Sequence, residues 1–270
     1  MITSSLNDSV KNVVKKYVPL EIQRSISNSL WDVLQLNWKL NSGLSVDIKS
    51  KSDWWMFNEI FVNNEYDSAI KLALKSASSN RTLTILDLGA NVGLFTMRVV
   101  DLLLANENSQ IPFVITAVEG SPTIYADLQS RIIREPILKD KVRLIHGLVG
   151  ECQGSAKLYE AAFSARNSIF TNSSVHGVEV PYIDLNSLYS QDSEIDLLKC
   201  DIEGSELIFL ENYKNLLPKV KVAILEMHHT LCNTARCIQI MKEAGFINHQ
   251  TIHGKPGEDA TLDLFSKQDS

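Results

Sequence analysis

Carboxylates sit at the ends of four apolar stretches, and glycines flank the first of them. In TLTILDLGANVG (82–93), Leu83, Ile85 and Leu86 read as a buried strand. Asp87 brings an acid to its end, and Gly89 and Gly93 bracket a tight turn. An apolar helix pattern starts at Leu94. In an open α/β sheet the C-terminal strand edge is where ligands bind. Glycine belongs where φ must be positive or where a ligand approaches the backbone. PFVITAVEG (112–120) ends near Glu119, and IDLLKCDIEG (195–204) near Asp201 and Glu203. VKVAILEMHH (220–229) closes with Glu226, His228 and His229.

The spacing of the turn selects among ligands. Gly89-Ala90-Asn91-Val92-Gly93 is not the G-x-G-x-x-G that lays a pyrophosphate on a helix N-terminus. Asp87 would also repel a phosphate. A cationic ligand suits the site better. S-adenosylmethionine carries an ammonium and a sulfonium and has no phosphate. From the end of the second strand, the two oxygens of Glu119 can accept hydrogen bonds from both ribose hydroxyls.

These residues need a scaffold that brings strand ends together. Strands at 82–88, 112–119 and 142–150 alternate with helices at 94–104 and 121–132, the signature of a parallel sheet with helical crossovers. Ser121 caps the second helix, and Pro122 takes its first position. After 150 the rhythm breaks. KLYEA and VEVPY could pair as an antiparallel flap around a polar middle. Strands at 195–201 and 220–229 follow, then a helix over 233–244 and a final hairpin, antiparallel in part. Residues 6–40 carry apolar residues at helical spacing, divided at Pro19. The expected division is an N-terminal helical extension at 1–50 and one catalytic domain at 51–270. The extension could cover the substrate side, serve as a homodimer surface, or simply pack.

Taken together, the chain resembles the class I S-adenosylmethionine-dependent methyltransferases, specifically the FkbM-type family. ILDLGANVGLFT (85–96), AVEGSP (117–122), IHGLVG (145–150) and LLKCDIEGSELIFLEN (197–212) carry the resemblance. The K-x-D-x-E-G-x-E segment is the most specific of these. The resemblance implies a Rossmann-like sandwich, with a mostly parallel seven-stranded sheet and an antiparallel final strand. It implies cofactor contacts from Asp87, Gly89, Asn91, Gly93, Glu119, Gly120, Ser121 and Asp201. At the third strand end, where many relatives place an acid or amide for the adenine amine, this chain has His146-Gly147-Leu148. Backbone groups of Gly147 and Leu148 are expected there instead. Members mostly methylate hydroxyls of sugars, glycolipids and polyketide-type natural products.

Methyl transfer to an alcohol needs alignment, exclusion of water and a proton acceptor. Asp201, Glu226, His228 and His229 are the candidate catalytic groups. Adjacent residues of an extended segment point oppositely, so one of the two histidines is expected to enter the site. Asp201, Glu226 and His228 could instead hold Mg²⁺ to acidify the hydroxyl. Trp54, Trp55, Arg166 and Glu203 are candidates for the acceptor pocket. An N-methyltransferase, an enzyme acting on a macromolecule, and a non-catalytic cofactor-binding protein are the alternatives. The formal charge of −6 and pI near 5.6 argue against a duplex nucleic-acid surface. No 18-residue apolar run suggests a membrane span, and the N-terminus lacks a signal-peptide build. A cytoplasmic protein with four free thiols is expected.

Overall fold

The computed structural model describes residues 31, 36–75, 77–105, 110–159, 177–189, 193–255 and 257–267. Arg166 and the N-terminal segment before residue 31 lie outside the described residues.

A seven-stranded sheet forms the centre. Its strands are β3 (Leu83–Leu88), β4 (Phe113–Glu119), β5 (Val142–His146), β8 (Ile195–Cys200), β9 (Val220–His228), β10 (Asn248–His253) and β11 (Ala260–Ser266). Their spatial order is β10-β11-β9-β8-β3-β4-β5. β3 pairs in parallel with β4 and β8, as β4 does with β5 and β8 with β9. Only β11 runs against its neighbours. The chain lays strands outward from β3 through β5, then crosses to β8 and builds the other way. The switch in direction therefore falls between β3 and β8, where open α/β sheets bind their ligands. β3 and β8 are almost wholly buried, as expected of strands covered on both faces.

The covering helices are α2 (Asp67–Lys75), α3 (Leu94–Leu104), α4 (Pro122–Arg134), α5 (Pro136–Lys139), α6 (Glu206–Asn212) and α7 (Thr234–Glu243). They leave two large apolar clusters. One gathers Ile70, Leu94, Phe95, Val99 and Leu128; the other gathers Phe209, Leu210, Tyr213, Met241 and Phe265. Beyond β5, strands β6 (Ser155–Leu158) and β7 (Val178–Pro181) form the expected antiparallel flap.

Among the described residues, the C-terminal end of the segment read as helix (6–40) is strand instead. β1 (Leu36–Lys39) pairs with β2 (Ser45–Ile48) in an antiparallel hairpin. Alternation decides this: Leu44, Val46 and Ile48 are buried while β1 is exposed throughout. Gly43, at φ +89°, supplies the reversal between the two strands. Helix α1 (Lys51–Phe57) follows, capped by the Ser50 side chain accepting from the Asp53 N–H, and runs into one π turn over Asn58–Val62. Such single π turns frequently occur at functional sites.

One buried cation ties this extension to the sheet domain. The Arg131 side chain is 1% exposed, and its Nη2 lies 2.6 Å from Asp53 and 2.8 Å from Asp127. Nη1 donates to the Asp47 carbonyl. Arg131→Met leaves the Asp53 carboxylate buried without its partner. We expect a stability loss of about 3–5 kcal/mol in chemical denaturation. An unchanged midpoint would show that the hairpin and α1 are held by packing alone.

Candidate active site

At the switch point the end of β3 is closed by a lysine that the motif reading left without a role. Asp87 is fully buried, and its Oδ2 accepts from the Thr96 hydroxyl at 2.9 Å. Lys199, on β8, is 4% exposed. Its Nζ donates to the Gly89 carbonyl at 2.6 Å and lies 3.7 Å from Asp87 and 3.3 Å from Asp201. Burial opposes its charge, yet Asp201 and Asp87 hold the ammonium above its ordinary pKa. Burial likewise pushes the Asp87 carboxyl up, with Lys199 opposing. Asp87 thus faces an internal cation and has no surface in the cleft.

The glycine turn adopts left-handed backbone at Gly89 (φ +70°), Asn91 (+50°) and Gly93 (+86°). A Cβ on Gly89 would stand 1.7 Å from the Asp201 carbonyl oxygen. The glycine is therefore needed for the approach of β8, besides any ligand. Gly93 meets a different neighbour, Leu128 of α4, at 2.7 Å. That contact is helix packing.

Glu119 lies next to the turn. Its Oε2 accepts from the Asn91 N–H at 2.9 Å and its Oε1 from the Ser121 N–H at 2.8 Å. Burial pushes its pKa up to about 7, against those two hydrogen bonds. Each oxygen keeps a further lone pair, so a diol can still be accepted. Glu119, Gly120, Ser121, Gly147, Leu148 and Asp201 line one cleft together with Gly89 and Asn91. The N–H groups of Gly147 and Leu148 are already committed, to the carbonyls of Glu119 and Pro181. What this segment can offer an adenine amine is carbonyl oxygen.

A second cavity of about 660 Å³ opens from the first at Asn91, Asp201 and Glu203. Its walls come from α1 and its π turn (Trp55, Glu59), from Tyr66 and Phe95, and from the ends of β8 and β9 (Lys199, Asp201, Glu203, Glu226, His228). Trp55 donates its Nε1–H to Glu59, whose carboxyl burial raises to about 7. Trp54 stacks on Phe57 at 6.1 Å and is not among the lining residues.

The two histidines part company at the end of β9. His228 enters the cavity, with Nδ1 3.0 Å from Glu206 and Nε2 3.3 Å from Glu203. Burial opposes its charge, but the hydrogen bonds to these two carboxylates push its pKa up to about 12, so it stands as an imidazolium. His229 instead contacts the hydroxyls of Thr261 and Thr234, at 3.0 and 3.3 Å. Glu226 lies 4.0 Å from His228 Nε2. Burial and then the charge of Asp201 raise its pKa to about 8. Glu226, like Glu59, has a pKa raised into the range that suits proton abstraction near neutrality, and it stands at the end of β9.

Sequence reasoning missed Lys199, Glu206 and Glu59 as site residues, and named Tyr66 only within an aromatic group (Trp54, Trp55, Phe57, Ile60, Phe61, Tyr66) that could pack or line a cleft. Glu206 fits a helix first turn, but it is fully buried, accepts from the Gly204 N–H at 3.0 Å and orients His228. Glu203 holds φ +51°, a strained value for a residue with a Cβ.

The metal expectation changes partners. Among the described residues, Asp201, Glu203 and His228 can bring one ligand atom each within 4.8 Å of one another, and Glu226 is outside the group. Magnesium takes oxygen ligands, whereas the third donor here is an imidazole hydrogen-bonded at both nitrogens. The set fits Mg²⁺ poorly.

The sequence model for the methyltransferase FkbM domain matches residues 87–247, spanning every strand end described above. The chain belongs to the FkbM methyltransferase family. No curated protein sequence matches it significantly. Similar solved structures include EvdMO1, 13% identical with a TM-score of 0.44, covering 75% of this chain and 41% of that one. An FkbM methyltransferase from Methylobacillus flagellatus KT is 14% identical with a TM-score of 0.44, covering 78% and 60%. The N-terminal domain of human METTL16, solved with SAH, is 10% identical with a TM-score of 0.45, covering 95% and 97%. This FkbM chain thus spans less than half of EvdMO1. No helix among its described residues is long and apolar enough to cross a membrane.

Proposed function

We propose that this FkbM-family chain is an S-adenosylmethionine-dependent O-methyltransferase acting on a hydroxyl of a sugar, glycolipid or natural product. The observation that carries the reading is a proton acceptor placed beside the cleft that Glu119 and the glycine turn line. Glu226 lines a cavity that joins the Glu119 cleft through Asp201 and Asn91.

The residues fit the cofactor in a way that differs from the motif reading. Asp87 is sealed by Lys199 and Thr96, so Asp201, 25% exposed and lining both spaces, is the carboxylate open to an ammonium. Glu119 accepts the ribose hydroxyls. Acidic groups at Glu119 and Asp201 disfavour phosphate-bearing nucleotides in the same cleft.

Bound S-adenosylmethionine supplies an electrophilic methyl group. The chain aligns the acceptor in the larger cavity, where Trp55, Tyr66 and Phe95 supply an apolar wall. Glu226 would take the proton that the acceptor hydroxyl gives up on receiving that methyl group. A nearby positive charge lowers a carboxyl pKa. Cofactor binding therefore brings Glu226 into its ionised, proton-accepting form closer to neutral pH. The His228 imidazolium stays protonated and anchors Glu203 and Glu206, a positioning role.

The test is methyl transfer followed by mass spectrometry over a panel of hydroxylated sugars and polyketide-type alcohols, with matched amines as rivals. We expect a gain of one methyl on oxygen. Tight S-adenosylhomocysteine binding with transfer only to amine nitrogen would overturn the O-methyltransferase reading, and absence of cofactor binding would overturn the whole of it.

A further inference from the structure

The larger cavity is lined by more carboxyl groups than catalysis requires. Glu59, Asp201, Glu203, Glu226 and Asp259 line it, and its cations are Lys51, Lys199 and His228. Two of those cations are already engaged. Lys199 lies between Asp201 and the buried Asp87, and His228 between Glu203 and the buried Glu206. Lys51 makes no ion pair among the described residues. Neither Glu59 nor Glu226 has a lysine or arginine within ion-pair distance.

A second, independent observation concerns Tyr66. It is 7% exposed and lines the cavity, while its ring packs edge-on against Phe95 at 5.4 Å. Its hydroxyl makes no hydrogen bond to any described residue and is not among the side-chain atoms sealed from solvent, so it stays open to the cavity. Glu226, Asp201 and Glu59 are its charged neighbours, and burial together with their charge keeps the phenol neutral. A phenol oxygen facing a space rimmed by carboxylates is placed to accept a hydrogen bond from a cationic donor.

We propose that the methyl acceptor carries a protonated amine near its reacting hydroxyl, and that Glu59 and Tyr66 form the subsite that receives this ammonium. The inference rests on the O-methyltransferase reading and names its acceptor class: an amino sugar or a comparable amine-bearing alcohol. S-adenosylmethionine itself brings a net single positive charge, from an ammonium, a sulfonium and a carboxylate. That offsets one carboxylate at the mouth shared with the first cleft, and Glu59, which lines only the larger cavity, has no cation of its own. The same charge pattern rejects phosphorylated sugars and nucleic acid. Trp55, which donates to Glu59, holds that carboxyl in place and offers an aromatic face to a sugar ring.

The experiment uses the full chain loaded with S-adenosylhomocysteine. Calorimetry measures binding of 2-amino-2-deoxyglucose, N-acetylglucosamine and glucuronic acid, and of a pseudodisaccharide aminoglycoside with its N-acetylated form. Each charge-assisted hydrogen bond gained should favour the amine over the amide by about tenfold. The carboxylate should bind weakest. Glu59→Gln and Tyr66→Phe should each pull the amine-to-amide ratio toward one. Equal binding of amine and amide, a reversed order, or no binding by any member while S-adenosylhomocysteine binds would overturn this inference and leave the cofactor reading standing. Failure of S-adenosylhomocysteine itself to bind would overturn both.

Discussion

Gly89→Ala is expected to abolish cofactor binding and to lower the melting temperature of the protein. Two costs coincide at this position. The backbone holds φ +70°, which a side chain tolerates poorly, and the new Cβ would lie 1.7 Å from the Asp201 carbonyl oxygen and 2.9 Å from its carbon. The obstructing atoms are backbone of the residue following β8, so no rotamer change relieves the contact. β3 and β8 must separate at the switch point. Separation also breaks the Lys199 hydrogen bond to the Gly89 carbonyl and displaces Asp201 from the cleft. We expect S-adenosylhomocysteine affinity to fall by at least about a hundredfold, or roughly 3 kcal/mol. Gly154→Ala is the matched control. That glycine also has positive φ, at +92°, but a Cβ there meets nothing within 4 Å. It should cost only about 1 kcal/mol of stability through backbone strain and leave affinity unchanged. Native affinity in Gly89→Ala would show that the two strand ends can part without harm to the site.

The contrast between these glycines marks what the sequence could reveal. Spacing identified a turn with positive φ at Gly89 and Gly93, since a strand, an acid and a helix pattern fixed its register. It could not say that Gly89 yields to Asp201 while Gly93 yields to Leu128, because both partners are remote in sequence. The parallel core was legible because buried strands and their crossover helices have short-range periodic signals. Of the β1–β2 hairpin, LSVDIKSKSD (44–53) allows a short strand, where β2 lies, but β1 was not legible, since LNWKL continues a helical spacing and only pairing with β2 selects a strand.

The carboxylates show the same division. Asp87, Glu119, Asp201 and Glu226 stand at strand ends, and strand ends are visible in sequence. Their ionisation is not, because it is set by what lies across the site. Lys199 seals Asp87; two backbone N–H groups hold Glu119; Asp201 and burial raise Glu226. His228 and His229 alternate as an extended pair should. Only the structure shows that Glu206, four residues from Ile202 and twenty-two from His228, chooses the first histidine. Glu59 and Tyr66 precede the family motifs altogether and reach the cavity through the π turn and the packing of Tyr66 on Phe95.

Glu226→Gln is expected to trade activity for stability. As the proton acceptor, Glu226 should contribute about 10²- to 10⁴-fold to kcat. The amide keeps its size and cannot take the proton. In the wild type, activity should rise with pH until the carboxyl, near 8 in the empty site, is fully ionised, and the cofactor's charge should move that rise to lower pH. The variant's residual rate should lose this dependence. Stability runs the other way. The folded pKa lies above the ordinary 4.5, so the unfolded chain releases this proton first. The resulting stabilisation is fully present below about 4.5 and is lost as pH rises through about 8. Glu59 and Glu119, both raised to about 7, add slopes of the same sign. The cofactor-free wild type should therefore melt at steadily lower temperature from about pH 5 to 8. Glu226→Gln should flatten part of that decline and melt above the wild type at pH 9. Thermal scans without cofactor, paired with single-turnover rates, measure both halves. A variant that keeps wild-type kcat removes Glu226 as the base. A variant that melts lower at pH 9 shows instead that the carboxylate holds a structural partner the amide cannot replace. The two results together separate a group kept for chemistry from one kept for the fold, since a strand end this close to Asp201 and Glu203 would be more stable without a third charge.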